Sequence, residues 1–580
     1  MRFTLRSLGG RLTLAAVVCS SSLLSGCPLQ GPYLKTGLGV LRGDISDHGK
    51  TVSWKGVPYA QAPVGDLRWQ APRAPQSWRG VRDAREFGNS CSQIGSMYGP
   101  PAQGSVVDIN LRDVFDQPVG NEDCLYLNIW RPASKKKNLP VVLYIHGGSH
   151  MVGTGFYYRG NKLARENVLF ISVNYRLNLF GWLNHPALKV ADDGSHPNAA
   201  LTNSGNFATL DLIQALHFVQ GHIEEFGGDP NNVTIMGQSA GASAVFSLLV
   251  SPLAEGLFHK AVMLSPGLLN QTSENSFNYT NGLLMALALQ AGLATDTDTA
   301  QQWLISQSPA QLREFLYSRT TAQLQRATQL DPRLSLTPAI LKDGLVQPQD
   351  PTSAVASGQF NNVPVLMGLT EEEGKLFTRP AFIVTNQERW TLMQTFNPDD
   401  PASTPVTLEQ LIRPDLLPAD RPQQGTCGAE DFVMGGYNDF ANKCGGLGPT
   451  VQFQQLQDQA LLPLLALHQP ALYAYHWGWN QQPEPWRTVY GAAHGGDIPF
   501  LLGMFDTALF NNGYSEQNEP GRKGLSNVML HALTHFARTG DPNHNGLATD
   551  WLPWSPAPGA PKRLHLDAND QQPQVEMRFN

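Results

Sequence analysis

Val233-Thr234-Ile235-Met236-Gly237-Gln238-Ser239-Ala240-Gly241-Ala242-Ser243-Ala244-Val245 is the stretch whose reading decides the fold. It opens as a β-branched and apolar run, breaks at a small-x-Ser-x-small pentad, and resumes as an Ala-rich segment suited to a helix. A strand that turns sharply through a serine into a helix is the setting of a nucleophile elbow. The turn is so tight that a Cβ at position 237 or 241 is expected to strike neighbouring backbone, hence glycine at both. Ser239 is then expected on strained backbone, its hydroxyl projecting from the carboxyl edge of a sheet. The amide of Ala240 falls at a helix N-terminus, where it can donate to a developing oxyanion. A bare G-x-S-x-G also arises by chance as a Gly-flanked turn, so its weight comes from partners elsewhere in the chain.

Upstream, Val141 to Ile145 is apolar throughout except for one tyrosine, as a strand buried on both faces should be. It runs into His146-Gly147-Gly148-Ser149-His150-Met151-Val152-Gly153, where adjacent glycines let backbone N–H groups turn towards one point. Between a buried strand and an elbow, an oxyanion loop is a better reading than a plain glycine loop. Leu169 to Val173 is the next buried strand, and Phe207 to Phe226 has the apolar spacing of a helix. Ala261 to Leu264 follows the elbow helix. Strand and helix in alternation predict an α/β chain with a mainly parallel sheet covered on both faces.

The flanks fit this frame. Val40 to Gly43 and Val52 to Ala60 read as an N-terminal β-meander, and Leu125 to Trp130 as another strand. Residues 273 to 329 are helical in pattern and are expected to form the walls and roof of a substrate cleft. Val363 to Gly368 is a later strand; residues 396 to 450, rich in Pro, Gly and Asp, read as a long surface insertion. Leu472 to Trp477 is the last strong strand, a Gly-rich turn spans 491 to 497, and Leu525 to Arg538 is the closing helix.

The chain has 580 residues, 41% of them hydrophobic, enough for a large core. Its net charge is -7 and it carries no long basic run, which argues against nucleic acid as a partner. Residues 1 to 27 read as a secretory leader, with Arg2, Arg6 and Arg11 ahead of an apolar region from Leu12 to Leu24. Leu24-Ser25-Gly26-Cys27 resembles the bacterial lipobox, in which the cysteine is acylated; an ordinary signal peptide is the plainer alternative. The expectation is an exported protein, either a lipoprotein of the cell envelope touching the membrane through its anchor or a secreted one, with residues 28 to 580 as a single domain.

Of the six cysteines, Cys19 lies in the leader and Cys27 at the lipobox. The remaining four allow three pairings, and proximity favours Cys91–Cys124 and Cys427–Cys444. Loop-closure entropy makes these worth about 4 and about 3 kcal/mol. No Cys/His cluster has zinc spacing; His531 and His535 stand four apart but lack the glutamate of H-E-x-x-H, so no metal or cofactor is expected.

A nucleophilic serine needs a base to take its proton and an acid to hold that base in one tautomer. In chain order Ser, acid, His, spacing alone leaves Glu371, Glu372 and Glu373 open for the acid and His476 or His494 for the base. Here the chain resembles the type-B carboxylesterases, which include cholinesterases, several lipases and the non-enzymatic neuroligins. The resemblance runs from about residue 40 to 555. It is carried by Phe226-Gly227-Gly228-Asp229-Pro230 through Gly241, by Asn121-Glu122-Asp123-Cys124-Leu125-Tyr126-Leu127-Asn128, and by Val173-Asn174-Tyr175-Arg176 with Phe180-Gly181. Segments 368 to 377 and 491 to 500 resemble the family's acid and His-Gly-x-acid loops.

The resemblance implies an α/β-hydrolase fold: a large, mostly parallel central sheet with helices on both faces and long insertions. It selects Glu373 and His494 to act with Ser239, and backbone N–H of Gly148, Ser149 and Ala240 as oxyanion donors. It also implies that Cys124 pairs with Cys91. The expected chemistry is hydrolysis of a small-molecule or lipid carboxylic ester through an acyl-enzyme. Asp211, Ser265 and Asp497 are expected as supporting partners, each with the plainer reading of a turn cap. Departures are Gln238 where Glu is usual, Ser149 where Gly is commonest, His150 in place of an aromatic, and the position of Cys427 and Cys444 after the acid. No Trp lies between Cys91 and Cys124, which makes choline esters poor candidates. The rival readings are an amide, carbamate or lipid substrate on the same residues, or a neuroligin-like binding module. The complete Ser239, Glu373 and His494 set counts against the latter.

Overall fold

The apolar runs picked out by the alternation lie side by side in one sheet. In the computed structural model, residues 32–97, 114–196, 198–331, 334, 339–378, 381–416, 449–505 and 513–579 are described. The leader, Cys27, Cys427 and Cys444 fall outside them. The sheet has eleven strands, here β1 (Asp44–Ser46), β2 (Thr51–Pro58), β3 (Tyr126–Pro132), β4 (Leu139–Ile145), β5 (Leu169–Val173), β6 (Gly228–Gln238), β7 (Lys260–Leu264), β8 (Val365–Thr370), β9 (Leu472–Trp477), β10 (Arg563–Ala568) and β11 (Pro573–Arg578). Their spatial order is 11-10-9-8-7-6-4-5-3-2-1. Pairings from β5 across to β10 are parallel, and those at both margins are antiparallel.

β4 and β5 are buried along their whole length, as strands with helices on both faces must be. Side chains alternate between the faces. Val141, Leu143 and Ile145 enter the core shared with helices α1 (Phe207–His222) and α2 (Ala240–Val250). Val142 and Tyr144 enter the opposite core with Leu525, Met529 and Phe536 of the closing helix Glu519–Thr539. Parallel registers such as Gly237 opposite Ile145, and Leu264 opposite both Gln238 and Gly368, bring the carboxyl ends of β4, β6, β7 and β8 to one edge. The loops that follow these strands therefore converge.

Of the meander expected near the N-terminus, the second run lies in the β1–β2–β3 margin, whereas the first is a correction: Gly39–Arg42 pairs with Tyr33–Thr36 and Val81–Asp83 in a separate three-stranded sheet. At the other margin, β9 is not the last strand: β10 and β11 extend the sheet as an antiparallel hairpin. β11 was hard to read because it is an edge strand that alternates half-buried with exposed positions and carries Gln, Glu and Arg. Residues 273 to 330 fold as four helices, Ser273–Gln290, Thr297–Ser306, Pro309–Tyr317 and Thr321–Leu330. The last three each begin with a capping box, at Asp296, Ser308 and Thr320, which satisfies first-turn amides. Cys91 and Cys124 form a disulfide. No helix among the described residues is long and apolar enough to cross a membrane.

Candidate active site

Ser239 sits between the last residue of β6 and the first of α2, with φ 58° and ψ -124°. That backbone region is costly for any residue with a Cβ and persists only where the surroundings impose it. They do. A Cβ on Gly237 would lie 2.2 Å from the Gly241 carbonyl oxygen, and one on Gly241 would lie 2.1 Å from that of Ile145. The Ser239 amide donates to the Leu264 carbonyl at 2.8 Å, tying the elbow to β7.

Glu373 is wholly buried in the turn after β8. Its Oε1 accepts from the Ser265 hydroxyl at 2.6 Å and from the Thr370 amide at 2.8 Å. Its Oε2 accepts from Nδ1 of His494. With Nδ1 protonated, Nε2 of His494 carries the lone pair; this atom is buried and meets no partner among the described residues. The imidazole packs against the rings of Phe377 and Phe453, each with its centroid 5.0 Å away, and these two rings stack on each other. Ser239 and His494 line one cavity of about 390 Å³.

The loop after β4 crosses the same cavity. A Cβ on Gly147 would stand 3.0 Å from Cβ of Ser239, so the loop runs against Ser239 with no side chain between them. Gly148, Ser149 and His150 follow with φ of 106°, 55° and 60°. Among the described residues, the amides of Gly148, Ser149 and Ala240 meet no acceptor. A hydroxyl on a strained elbow, an oriented imidazole and amides without an acceptor are the kinds of groups that acyl transfer requires.

A family model described as "Carboxylesterase family" matches residues 30–579. The chain belongs to the carboxylesterase family. It is similar to the para-nitrobenzyl esterase of Bacillus subtilis (strain 168), 29% identical over 501 residues, covering 86% of this chain and 88% of that one. It is similar as well to carboxylesterase 3B of Mus musculus, 31% identical over 559 residues, with 90% and 84% covered. Among solved structures, the carboxylesterase EST55 of Geobacillus stearothermophilus superposes with a TM-score of 0.65 at 27% identity, covering 94% of this chain and 97% of that one. The fold is therefore that of the α/β-hydrolases, and the chain is a carboxylic ester hydrolase of the serine type.

In this carboxylesterase the other candidates lie apart from Ser239. Glu371 pairs with His565 and Arg578, and Glu372 with Lys375. His476 faces Arg563, and burial with that neighbouring cation pushes its imidazole down to about 3. Ser265 reaches Glu373 directly. Asp497 takes a hydrogen bond from the Tyr475 hydroxyl at 2.6 Å; burial above all, then the charge of Glu373, raises it to about 6 against that bond's pull. Asp211 is a correction: its carboxylate forms a buried two-point pair with Arg176, at 2.6 and 2.8 Å, and its hydrogen bonds do not reach Ser239, Glu373 or His494. It locks the chain leaving β5. The helices of residues 273–330 are a second correction. They pack on one another and on Leu179, Phe180 and Leu188, and none of them supplies a described residue of the cavity wall. The wall comes instead from segments 96–97, 147–158, 376–386 and 495–504, with Gln238 beside Ser239. Phe377, Phe453 and the Thr370 amide went unread because single aromatic side chains and backbone donors leave no mark in spacing.

Proposed function

We propose that Ser239 is the nucleophile, His494 its general base and Glu373 the group that orients and balances His494, in the hydrolysis of neutral, apolar carboxylic esters. The observation that carries this reading is the contact of the buried Glu373 carboxylate with Nδ1 of His494, which leaves Nε2 unpartnered at the cavity that Ser239 lines. No hydrogen bond joins Ser239 to Nε2 without substrate; such bonds commonly tighten only in the substrate complex. His494 takes the serine proton as Oγ adds to the ester carbonyl, and the oxyanion falls towards the amides of Gly148, Ser149 and Ala240. Each such donor contributes roughly 3 kcal/mol to the transition state. The imidazolium, stabilised by Glu373, then protonates the departing alkoxide. Water repeats the sequence on the acyl-enzyme and frees Ser239.

Substrate class follows from the wall. Among the described lining residues none is Asp, Glu, Lys or Arg, and Gln238 puts a neutral amide next to the nucleophile. Met97, Met151, Tyr157, Leu376, Phe377 and Ile498 offer apolar surface instead. Acyl and alcohol groups without charge are therefore favoured over charged ones. The test is a p-nitrophenyl ester series of rising chain length together with a fluorophosphonate label. Turnover with the label on Ser239 is expected; a folded protein inactive on every member would overturn the reading.

The leader motif supports export with acylation of Cys27, and so contact with a membrane through the anchor. Intact-mass analysis of the mature protein should find Cys27 acylated at a new N-terminus. An unmodified Cys27 refutes the anchor.

A further inference from the structure

His150 stands where the resemblance puts an aromatic, yet it is no wall of the cavity. Its ring is 1% exposed, 4.4 Å centroid to centroid from Trp182 and edge-on to Tyr175 at 6.5 Å. Nε2 lies 3.0 Å from the carbonyl oxygen of Ala240. A carbonyl only accepts, so Nε2 carries the proton and donates, and Nδ1 is left as an acceptor with no partner among the described residues. Burial holds the imidazole down to about 4, so it stays neutral where esterases are assayed.

Packing alone does not account for this residue. A phenyl ring would fill the same space without burying an unpaired nitrogen, which costs about 1–3 kcal/mol. The segment it belongs to is strained: Ser149 and His150 hold positive φ in succession, at about 1–3 kcal/mol each. Such backbone persists only when several contacts over-determine it. Met151 and Val152 amides donate to the Gly148 carbonyl, and the Asn178 amide donates to the His150 carbonyl at 2.7 Å. None of these bonds touches the elbow. Among the hydrogen bonds of residues 148 to 150, the one from His150 to Ala240 alone crosses to it.

We infer that His150 is a positioning residue for the oxyanion site: its Nε2–H bond to the Ala240 carbonyl fixes the two loop donors, Gly148 and Ser149, against the elbow donor, Ala240. The residue touches neither substrate nor the reacting atoms. It acts by setting the separation of amides that come from two different segments, where a displacement near 1 Å is expensive in rate. This rests on the reading under Proposed function, whose own failure would appear separately, as absence of turnover in the unaltered protein, and would take this inference with it.

The experiment is His150→Phe, which keeps an aromatic against Trp182 and removes the donor. On p-nitrophenyl butyrate, kcat should fall about tenfold to a hundredfold, with KM within about twofold. Affinity for an alkyl trifluoromethyl ketone, whose carbonyl becomes a hemiketal oxyanion on Ser239, should fall by the same factor as kcat. His150→Gln, whose amide can reach the same carbonyl, should recover part of both. The melting temperature, which reads overall stability and not the placement of the amides, should move little. Unchanged kcat and ketone affinity would overturn the inference. So would a lowered melting temperature with normal kcat per titrated active site. Should His150→Phe fail to fold, His150→Leu is the second donor-free variant; loss of the fold in both assigns His150 to stability and also overturns the inference.

Discussion

Glu373→Gln isolates the role of the buried carboxylate, and the structure dictates how the new amide must lie. Oxygen Oε1 of Glu373 receives the Thr370 amide at 2.8 Å, a group that can only donate, and the Ser265 hydroxyl at 2.6 Å. In the variant the carbonyl oxygen is therefore held in the Oε1 place and the NH2 group is turned towards His494. Two donors cannot face each other, so the imidazole shifts its proton from Nδ1 to Nε2, and the nitrogen facing the cavity loses the lone pair that would accept the serine proton. Misplacing the tautomer in a serine hydrolase lowers kcat by about 10⁴, or ~5.5 kcal/mol of transition-state stabilisation. The Thr370 and Ser265 bonds survive, so the melting temperature should stay within a few degrees. Initial-rate assays over a range of p-nitrophenyl butyrate concentrations, scaled to folded protein, should show the loss in kcat with KM nearly constant. A variant retaining more than about a tenth of wild-type kcat would refute the tautomer argument, since that loss is under ~1.4 kcal/mol.

Other outcomes follow from the same geometry. Ser239→Ala should abolish turnover with little change in melting temperature, while Ser239→Gly, which accepts φ 58° freely, should be the more stable of the two by about 1 kcal/mol in urea unfolding; equal stabilities would mean the elbow is unstrained. Asp497 is raised to about 6 by burial, so its protonated form suits the fold, and the stability this contributes is present below about pH 4 and lost as pH climbs through 6. Asp497→Asn keeps an acceptor for Tyr475 and should therefore gain on wild type by up to about 3 kcal/mol between pH 4 and pH 7; a pH-independent difference would contradict the assignment. Replacing Cys91 and Cys124 together by serine opens a loop of 33 residues and should lower unfolding free energy by about 4 kcal/mol in denaturant titration. Loss below about 1 kcal/mol would show that the loop is already restrained by its packing.

What could be read from the chain, and what could not, divides by how local the cause is. The elbow was legible because the collisions that require Gly237 and Gly241 occur within a few residues and one neighbouring strand. β4 and β5 were legible because burial on both faces leaves an uninterrupted apolar run. Glu371, Glu372 and Glu373 are alike in one dimension and are separated only by what the sheet brings near each. β7 presents Ser265 to Glu373, β10 and β11 present His565 and Arg578 to Glu371, and Lys375 takes Glu372. His476 and His494 part for the same reason, since one meets Arg563 of the neighbouring strand β10 and the other meets Glu373. Motif resemblance could choose among them because a family pattern stores those tertiary neighbours in its residue types. It fails where this chain changes the neighbour. The helices of 273–330 have a composition that suits a cleft roof and a self-contained layer equally well, and only the partners in the folded chain decide between them. His150 is the sharper case. As a departure from the pattern it carries no instruction, and its meaning rests on one carbonyl oxygen 90 residues further along the chain, at the start of α2. Departures from a family pattern near a reacting centre are thus where structure adds most, because there the pattern has stopped describing the surroundings.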